Sequence, residues 1–420
     1  MANCSTATIG RLMPARWRRP EILLFLMAAA VPFSFATWMA LIDNFAVHRA
    51  GFGGAEIGLL QSLREVPGFL AFAVVFVLLV MREQTLAYVA LALLGIGTAL
   101  TGFFPSFVGL ALTTFLMSAG FHYYETVQGS LALQWIPKTR APETLGRIVA
   151  VRSLASIGTF ALVWLAFDHL RLDFRWVYLL GGGVTAAVAF AVWLSFPRYA
   201  EHVEQNKHMV LRRRYWLFYA LTFMAGARRQ IFVVFAGFLL VRKFGFDVAT
   251  ISLLFLVNAS ISAVLAPRVG RLIGRFGERK ALLFEYAGLI VVFSGYALVQ
   301  DPRLAGGLYV FDHLFFALAI ALKTYFQKIA DPADIASTAG VSFTISHIAA
   351  VVLPAAYGLL WLVSPALVFL SGAALAGVSL LLALNVPARP APGNEVVIGP
   401  RHARGTAVGS AVRAAPTVPP

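Results

Sequence analysis

The sequence predicts an all-α integral membrane protein whose twelve transmembrane helices form two pseudo-symmetric bundles of six. Three observations carry that expectation. Of 420 residues, 60% are apolar and only 13% are charged, about half the ~25% charge of a soluble chain. So few ionic groups could not cover a soluble fold of this size. Twelve spans of ~20 residues need ~240 apolar positions, and 60% of 420 supplies them. Finally, a ten-residue pattern recurs in the second half of the chain.

The spans are placed at about 21–46, 54–80, 84–104, 106–135, 148–168 and 175–197. Six more follow at about 215–241, 247–266, 281–300, 304–326, 338–362 and 365–386. Each must be a helix, because lipid offers no partner for unpaired backbone groups. The first span follows Arg11, Arg16, Arg18 and Arg19, and its apolar run is longer than the ~7–15 residues of a cleaved signal peptide, so it is read as uncleaved. The chain divides into an N-terminal segment (1–20), a first bundle (21–197), a short central loop (198–214), a second bundle (215–386) and a tail (387–420). The tail is rich in Pro, Ala and Gly without apolar periodicity, which predicts disorder.

Loop charge sets the expected orientation. With the N-terminus inside, the inner segments carry 23 Lys and Arg and the outer loops six. That asymmetry predicts two cytoplasmic termini in a bacterial plasma membrane. The basic excess therefore reads as loop charge and not as a nucleic-acid surface. A lone cysteine, Cys4, excludes an internal disulfide and a Cys-based metal site. No cofactor and no metal is expected, and the chain is expected to work as a monomer in the bilayer.

Gly51-Phe52-Gly53-Gly54-Ala55-Glu56-Ile57-Gly58-Leu59-Leu60 aligns with Gly245-Phe246-Asp247-Val248-Ala249-Thr250-Ile251-Ser252-Leu253-Leu254 at an offset of 194, with six identities in ten. Both segments lead into the second span of a six-span half. Pro137 and Pro332, each just past a fourth span, keep an offset of 195. The loop after the eighth span contains Gly270, Gly274, Arg275, Gly277, Glu278, Arg279 and Lys280. Its glycines permit a tight reversal, and its basic residues can reach helix C-terminal carbonyls and lipid phosphates.

Parallel six-span repeats are the arrangement of the major facilitator superfamily, and this loop resembles that family's inner-loop signature. Two departures stand out: Gly274 replaces the family's Asp and Glu278 its Arg. The corresponding loop of the first half, around Met81-Arg82-Glu83, lacks the pattern. Glu125-Thr126-Val127-Gln128-Gly129 resembles the family's fourth-span Arg-x-x-Gln-Gly, with an acid in place of the cation. The resemblance implies a secondary transporter that works by rocking two halves around a midplane site. It assigns Gly270, Arg275, Gly277, Arg279 and Lys280 to a gating loop.

Charge inside the spans points to the site. A charged residue at mid-membrane costs ~2.5–3.5 kcal/mol on insertion scales, so it usually meets a partner or an aqueous cavity. Arg64, Glu65, Glu125, Arg152, Arg228, Arg229, Asp312 and Lys323 qualify, accompanied by His122, His313 and His347. At 1.5 Å per residue, Arg64 and Glu65 lie ~15 Å from the outer end of the second span, and Arg228 and Arg229 ~20 Å from the inner end of the seventh. Arg64, Arg228, Arg229 and Lys323 are candidate substrate ligands. Glu65, Glu125, Asp312 and His313 are candidate proton carriers or ion-pair partners, and the sequence leaves both roles open.

Five bases against three acids leave two cations over, which suggests a small organic anion held by a planar guanidinium. Protons are the expected coupling ion. Adjacent Arg228 and Arg229 point ~100° apart, so only one is expected to line a cavity. A multidrug or metabolite efflux pump is the alternative. It is weakened because the fifth span lacks the Gly-Pro that the family's drug antiporters carry. A membrane enzyme or a non-transporting receptor ranks below both, since His122 and Glu125 lack further ligands nearby in sequence and no phosphate-binding Gly-Lys-Ser/Thr loop occurs.

Overall fold

The computed structural model describes residues 17–136, 140–199, 211–331 and 334–400. Arg11, Arg16, Pro137, Lys138, Lys207, Pro332 and residues 401–420 lie outside them.

Twelve helical rods run through the described residues. The first half consists of Pro20–His48, a second rod of Gly54–Phe69 continued through Leu70–Ala73 and Val74–Val77, then Glu83–Thr101, Phe107–Trp135, Ala141–Asp168 and Phe174–Ser195. The seventh rod joins Trp216–Gln230, a π-helical turn Ile231–Ala236 and Gly237–Phe244. Val248–Phe276 and Glu278–Leu298 are the eighth and ninth. The tenth is Pro302–Phe316 continued by Ala317–Ala319 and Ile320–Ile329, and Ile335–Val363 and Pro365–Leu384 complete the set. Ten of the twelve contain a stretch long and apolar enough to cross a membrane. The exceptions are the second, which is broken and carries Arg64 and Glu65, and the fourth, which carries His122 and Glu125.

The repeated Gly-Phe pair is a helix stop. Gly51 and Gly245 both have φ of 70°, the left-handed conformation that glycine adopts without a Cβ clash. The following amides turn back: Phe52 donates to the Ala46 carbonyl at 2.9 Å and Phe246 to that of Leu240 at 3.1 Å. The next helix is then capped in each half by different chemistry. The Gly53 amide donates to Glu56 Oε2 at 2.9 Å, and Asp247 Oδ1 accepts from the Thr250 amide at 2.8 Å.

The halves meet along two seams, the second rod against the eleventh and the fifth against the eighth. At the Gly54–Gly58 end of the first seam the backbones nearly touch. A Cβ on Gly58 would collide with the Pro354 carbonyl and with Gly358, and one on Gly54 with Trp361. Lower on the same seam the Ala355 amide donates to Ser62 Oγ across the halves at 2.9 Å. Within the first half, Gly182 packs against the backbone of Gly95 and Ala99 while Gly183 faces open space.

One segment differs from expectation. Residues 387–400, predicted to be disordered, fold back in turns onto the second half. Val396 is fully buried, Tyr325 donates to the Glu395 carbonyl at 2.6 Å, and Asn385 exchanges two side-chain bonds with the Ile398 backbone. The apolar residues Val396 and Ile398 are too few and too local to show periodicity, yet one buried valine and a satisfied backbone hold the segment. At the end of the central loop, Asp334 accepts from Arg212 Nε and Nη2 (both 3.0 Å), Arg214 Nη2 (3.1 Å) and the Tyr215 hydroxyl (3.0 Å). These bonds, those of Arg212 first, hold its carboxyl below the usual carboxylate range.

A depressed folded-state pKa stabilises the protein above the unfolded value, and that contribution is lost as pH falls through the folded one. Asp334→Asn is therefore expected to lower the thermal midpoint at pH 7. The gap to wild type should close below about pH 4, where an unfolded Asp begins to protonate. Melting curves of both proteins from pH 7 to pH 3 check this.

Candidate functional site

At the level of the seam, the π-helical turn in the seventh rod begins directly after Arg228, Arg229 and Gln230. Such turns insert an extra residue and re-aim the side chains beside them. The two arginines face different surroundings. Arg228 is buried inside the second half, over the Tyr286 ring at 4.4 Å, with Nη2 3.8 Å from Glu285 Oε1. That separation is an ion pair but too long for a hydrogen bond, and Nε and Nη1 have no partner. Arg229 is deep in the protein yet exposed to open space, with the charges of Glu65 and Arg64 acting on it. Among the described residues it makes no hydrogen bond and no ion pair.

Across the gap, Arg64 and Glu65 are both buried and paired with each other. Arg64 also lies over the Trp38 ring at 5.7 Å, and its carbonyl accepts from Ser118 Oγ. Glu65 Oε2 is 3.7 Å from His347 Nε2, and the His347 and His122 rings meet edge to face at 5.4 Å. In the sequence these histidines only accompany the charges. The fold makes them a cluster with Glu65 in which one ligand atom from each lies within 4.8 Å of the others.

A cavity of about 360 Å³ lies between the first and fifth rods on one side and the eighth and tenth on the other. Its walls include Arg152, Asn258, His313 and the stacked rings of Phe160 and Phe255, 5.0 Å apart. Arg152 pairs with Glu125 at 2.6 Å, and both are about 30% exposed. Asn258 Nδ2 lies 2.9 Å from His313 Nδ1, while Asn258 Oδ1 is buried without a partner.

Asp312 and His313, neighbours in sequence, go separate ways. His313 lines the cavity, and Asp312 is fully buried in the second half with neither carboxylate oxygen hydrogen-bonded. Lys323 is exposed on the tenth rod and makes no bond with the described residues.

The tally of five bases to three acids is corrected. Asp43 in the first rod and Glu285 in the ninth also lie within the membrane-spanning helices, which makes five acids. Arg64, Arg152 and Arg228 each have an acidic partner. The surplus-cation argument therefore fails as arithmetic: among the described residues Arg229 and Lys323 have no acidic partner, and of these two Arg229 is the one near Arg64 and Glu65 of the other half. Glu285 and Asp43 sit about two turns or less from the ends of their helices, where charge in sequence looks like interfacial charge.

In the loop between the eighth and ninth rods, Gly277 has φ of 85° and ends one helix while starting the next. Glu278, the departure from the family signature, is buried and accepts Lys328 Nζ from the end of the tenth rod at 2.6 Å. Gly270, Arg275 and Lys280 are exposed and Arg279 is half-buried.

Twelve rods in two matching bundles, with a polar-lined cavity between them, are the architecture of a secondary transporter. A family model described as Major Facilitator Superfamily matches residues 22–354, and the chain belongs to that superfamily. It is a multi-pass membrane transporter and not an enzyme. It is similar to a maltose permease of Geobacillus stearothermophilus, 28% identical over 287 residues covering 65% of this chain and 69% of the relative. Among solved structures, a mutant of the nucleoside transporter NupG superposes with a TM-score of 0.72 at 14% identity, covering 87% of this chain and 99% of the other. An auto-inhibited peptide transporter of the POT family gives 0.71 at 13%, covering 87% and 96%. At these identities the structural likeness extends to the fold.

Proposed function

We propose that this transporter moves a small organic anion by alternating access, with protons as the coupling ion. The observation that carries the reading is Arg229, a guanidinium enclosed between the halves and open to solvent, without a bonded partner. A planar fork of donors suits a carboxylate or phosphate, and leaving that charge unmatched in a low-dielectric chamber is unfavourable. In this reading the cavity between the halves, which Arg152 lines and Arg229 does not, supplies the rest of the solute's environment. Phe35, Phe160 and Phe255 offer an apolar wall, and Arg152 and His313 polar groups beside it. The solute is thus an anion with an apolar body of modest size.

Asp312 is the proton carrier in this reading. Both of its oxygens are buried and unbonded, and the charges of Arg228 and Glu285 in the same half act on it. The relatives carry the names of maltose, nucleoside and peptide transporters. A neutral solute such as maltose would leave Arg229 unanswered. The basic loops favour both termini on the cytoplasmic face of a bacterial plasma membrane, and the sealed seam favours a working monomer.

Proteoliposomes loaded against a pH gradient test the reading. Flux of small carboxylates should fall at least tenfold when an ionophore dissipates the gradient, and should be similarly reduced in Asp312→Asn. Gradient-independent flux of neutral sugars with no carboxylate flux would overturn it.

A further inference from the structure

The cluster of Glu65, His122 and His347 is built like a cation site. All three residues are buried, and they come from the second and fourth rods of the first half and the eleventh of the second. His347 Nδ1 lies 2.8 Å from the Phe343 carbonyl. A carbonyl only accepts, so Nδ1 carries a proton, and Nε2 is the nitrogen left to present a lone pair to a metal. Nε2 faces Glu65 Oε2 at 3.7 Å, too far for a hydrogen bond.

A carboxylate oxygen and an imidazole nitrogen at this separation leave room for a cation between them. In a tetrahedral site with metal–ligand bonds of ~2.1 Å, ligand atoms stand roughly 3.4 Å apart. The separations here, from 3.7 Å up to 4.8 Å, close to that value with small side-chain shifts.

The surroundings fit the same chemistry. Metal-bound histidines commonly donate their second nitrogen to a carbonyl, and metal-bound carboxylates are themselves hydrogen-bonded. Here Phe343 does the first, and Arg64 does the second by holding Oε1 and leaving Oε2 for the cluster. Gly68 provides the room: a Cβ there would press on His347 Nε2 at 2.6 Å and His122 Cε1 at 2.7 Å. Arg64 and Arg229 oppose a bare cation. Three protein ligands leave a position for an anion or hydroxide, which offsets that charge.

We infer that Glu65, His122 and His347 bind a divalent transition metal with imidazole preference, Zn2+, Co2+ or Ni2+, bridging the two halves of the transporter. The site uses neither Arg229 nor Asp312 as a ligand, although the charge of Arg229 reaches Glu65 and His122. A metal held by both halves resists their separation, so it acts as a clamp on turnover.

The test uses tag-free full-length protein in detergent, titrated with ZnCl2 in a melting assay and with CoCl2 in visible absorption. Micromolar Zn2+ should raise the thermal midpoint by several degrees, reversibly with a chelator, and Co2+ should give the visible bands of a low-coordinate site. Both responses should disappear in His347→Asn and in His122→Asn. These variants keep a polar side chain and spare the Arg64–Glu65 pair, and their metal-free melting curves report whether they fold. Absence of both responses in wild type would overturn the site. So would equal responses in wild type and folded variants, which would place the metal on other histidines. Fluxes in proteoliposomes separate this site from the transport reading. Zn2+ should slow wild type at least fivefold and leave His347→Asn unaffected, whatever solute is carried.

Discussion

Arg229→Gln is expected to weaken binding of a carboxylate substrate by about 10- to 100-fold, with the protein still folded and inserted. A hydrogen bond to a charged group contributes ~1.5–3 kcal/mol, and each ~1.4 kcal/mol is tenfold in affinity. Removing an unpartnered guanidinium strands no acid, because Glu65 keeps Arg64. The thermal midpoint should therefore hold or rise. Arg228→Gln makes the contrast. It removes the partner of buried Glu285 and the cation over Tyr286, and truncating one member of a buried pair destabilises by ~3–5 kcal/mol. Affinity by ligand-induced melting shift, measured beside the ligand-free midpoint, distinguishes the two. Equal affinities in wild type and Arg229→Gln would remove the anion proposal.

Gly58→Val should abolish most transport by a different route. The second and eleventh rods approach closely only because Gly58 and Gly358 lack side chains, and the new Cβ would occupy the place of the Pro354 carbonyl. Packing of small residues lets membrane helices touch backbone to backbone. The substitution should hold the outer side of the seam apart, trap the protein open on that side, and cut flux by more than tenfold. Cys4 is the only cysteine, so a cysteine introduced near Gly54 in a Cys4→Ser background can report access. Valine at position 58 should speed its reaction with an impermeant thiol reagent severalfold. Unchanged labelling and flux would mean that this contact does not gate the outer side.

Much of the fold was legible because membrane spans announce themselves locally. Each apolar run had to be a helix in lipid, and Gly51 and Gly245 marked equivalent turns in two halves. The seventh rod's π-helical turn left no trace, since Ile231–Ala236 reads as ordinary apolar helix. The fold-back of residues 387–400 was hidden for a related reason: Val396 is buried by a surface assembled from distant helices.

The site was legible as a set of residues and not as a set of relations. Arg64, Glu65, Arg228, Arg229 and Asp312 stood out by the cost of charge in lipid. Which of them pair did not. Arg152 meets Glu125 of the neighbouring fourth rod, while Arg228 turns inward to Glu285, a residue near enough to a helix end to pass as interfacial.

Sequence alone determined that this is a membrane protein, that it is a doubled six-helix unit, and which residues are too polar for lipid. Hydropathy and turn chemistry belong to each stretch of chain, whatever surrounds it. Tertiary structure alone decided that Arg229 faces the gap and Arg228 does not, that Asp312 and His313 part company, and that His122 and His347 converge on Glu65. Successive side chains on a helix diverge by ~100°, so the rotation of each rod sets its partners. Packing across both halves fixes that rotation, and no local stretch of chain encodes it.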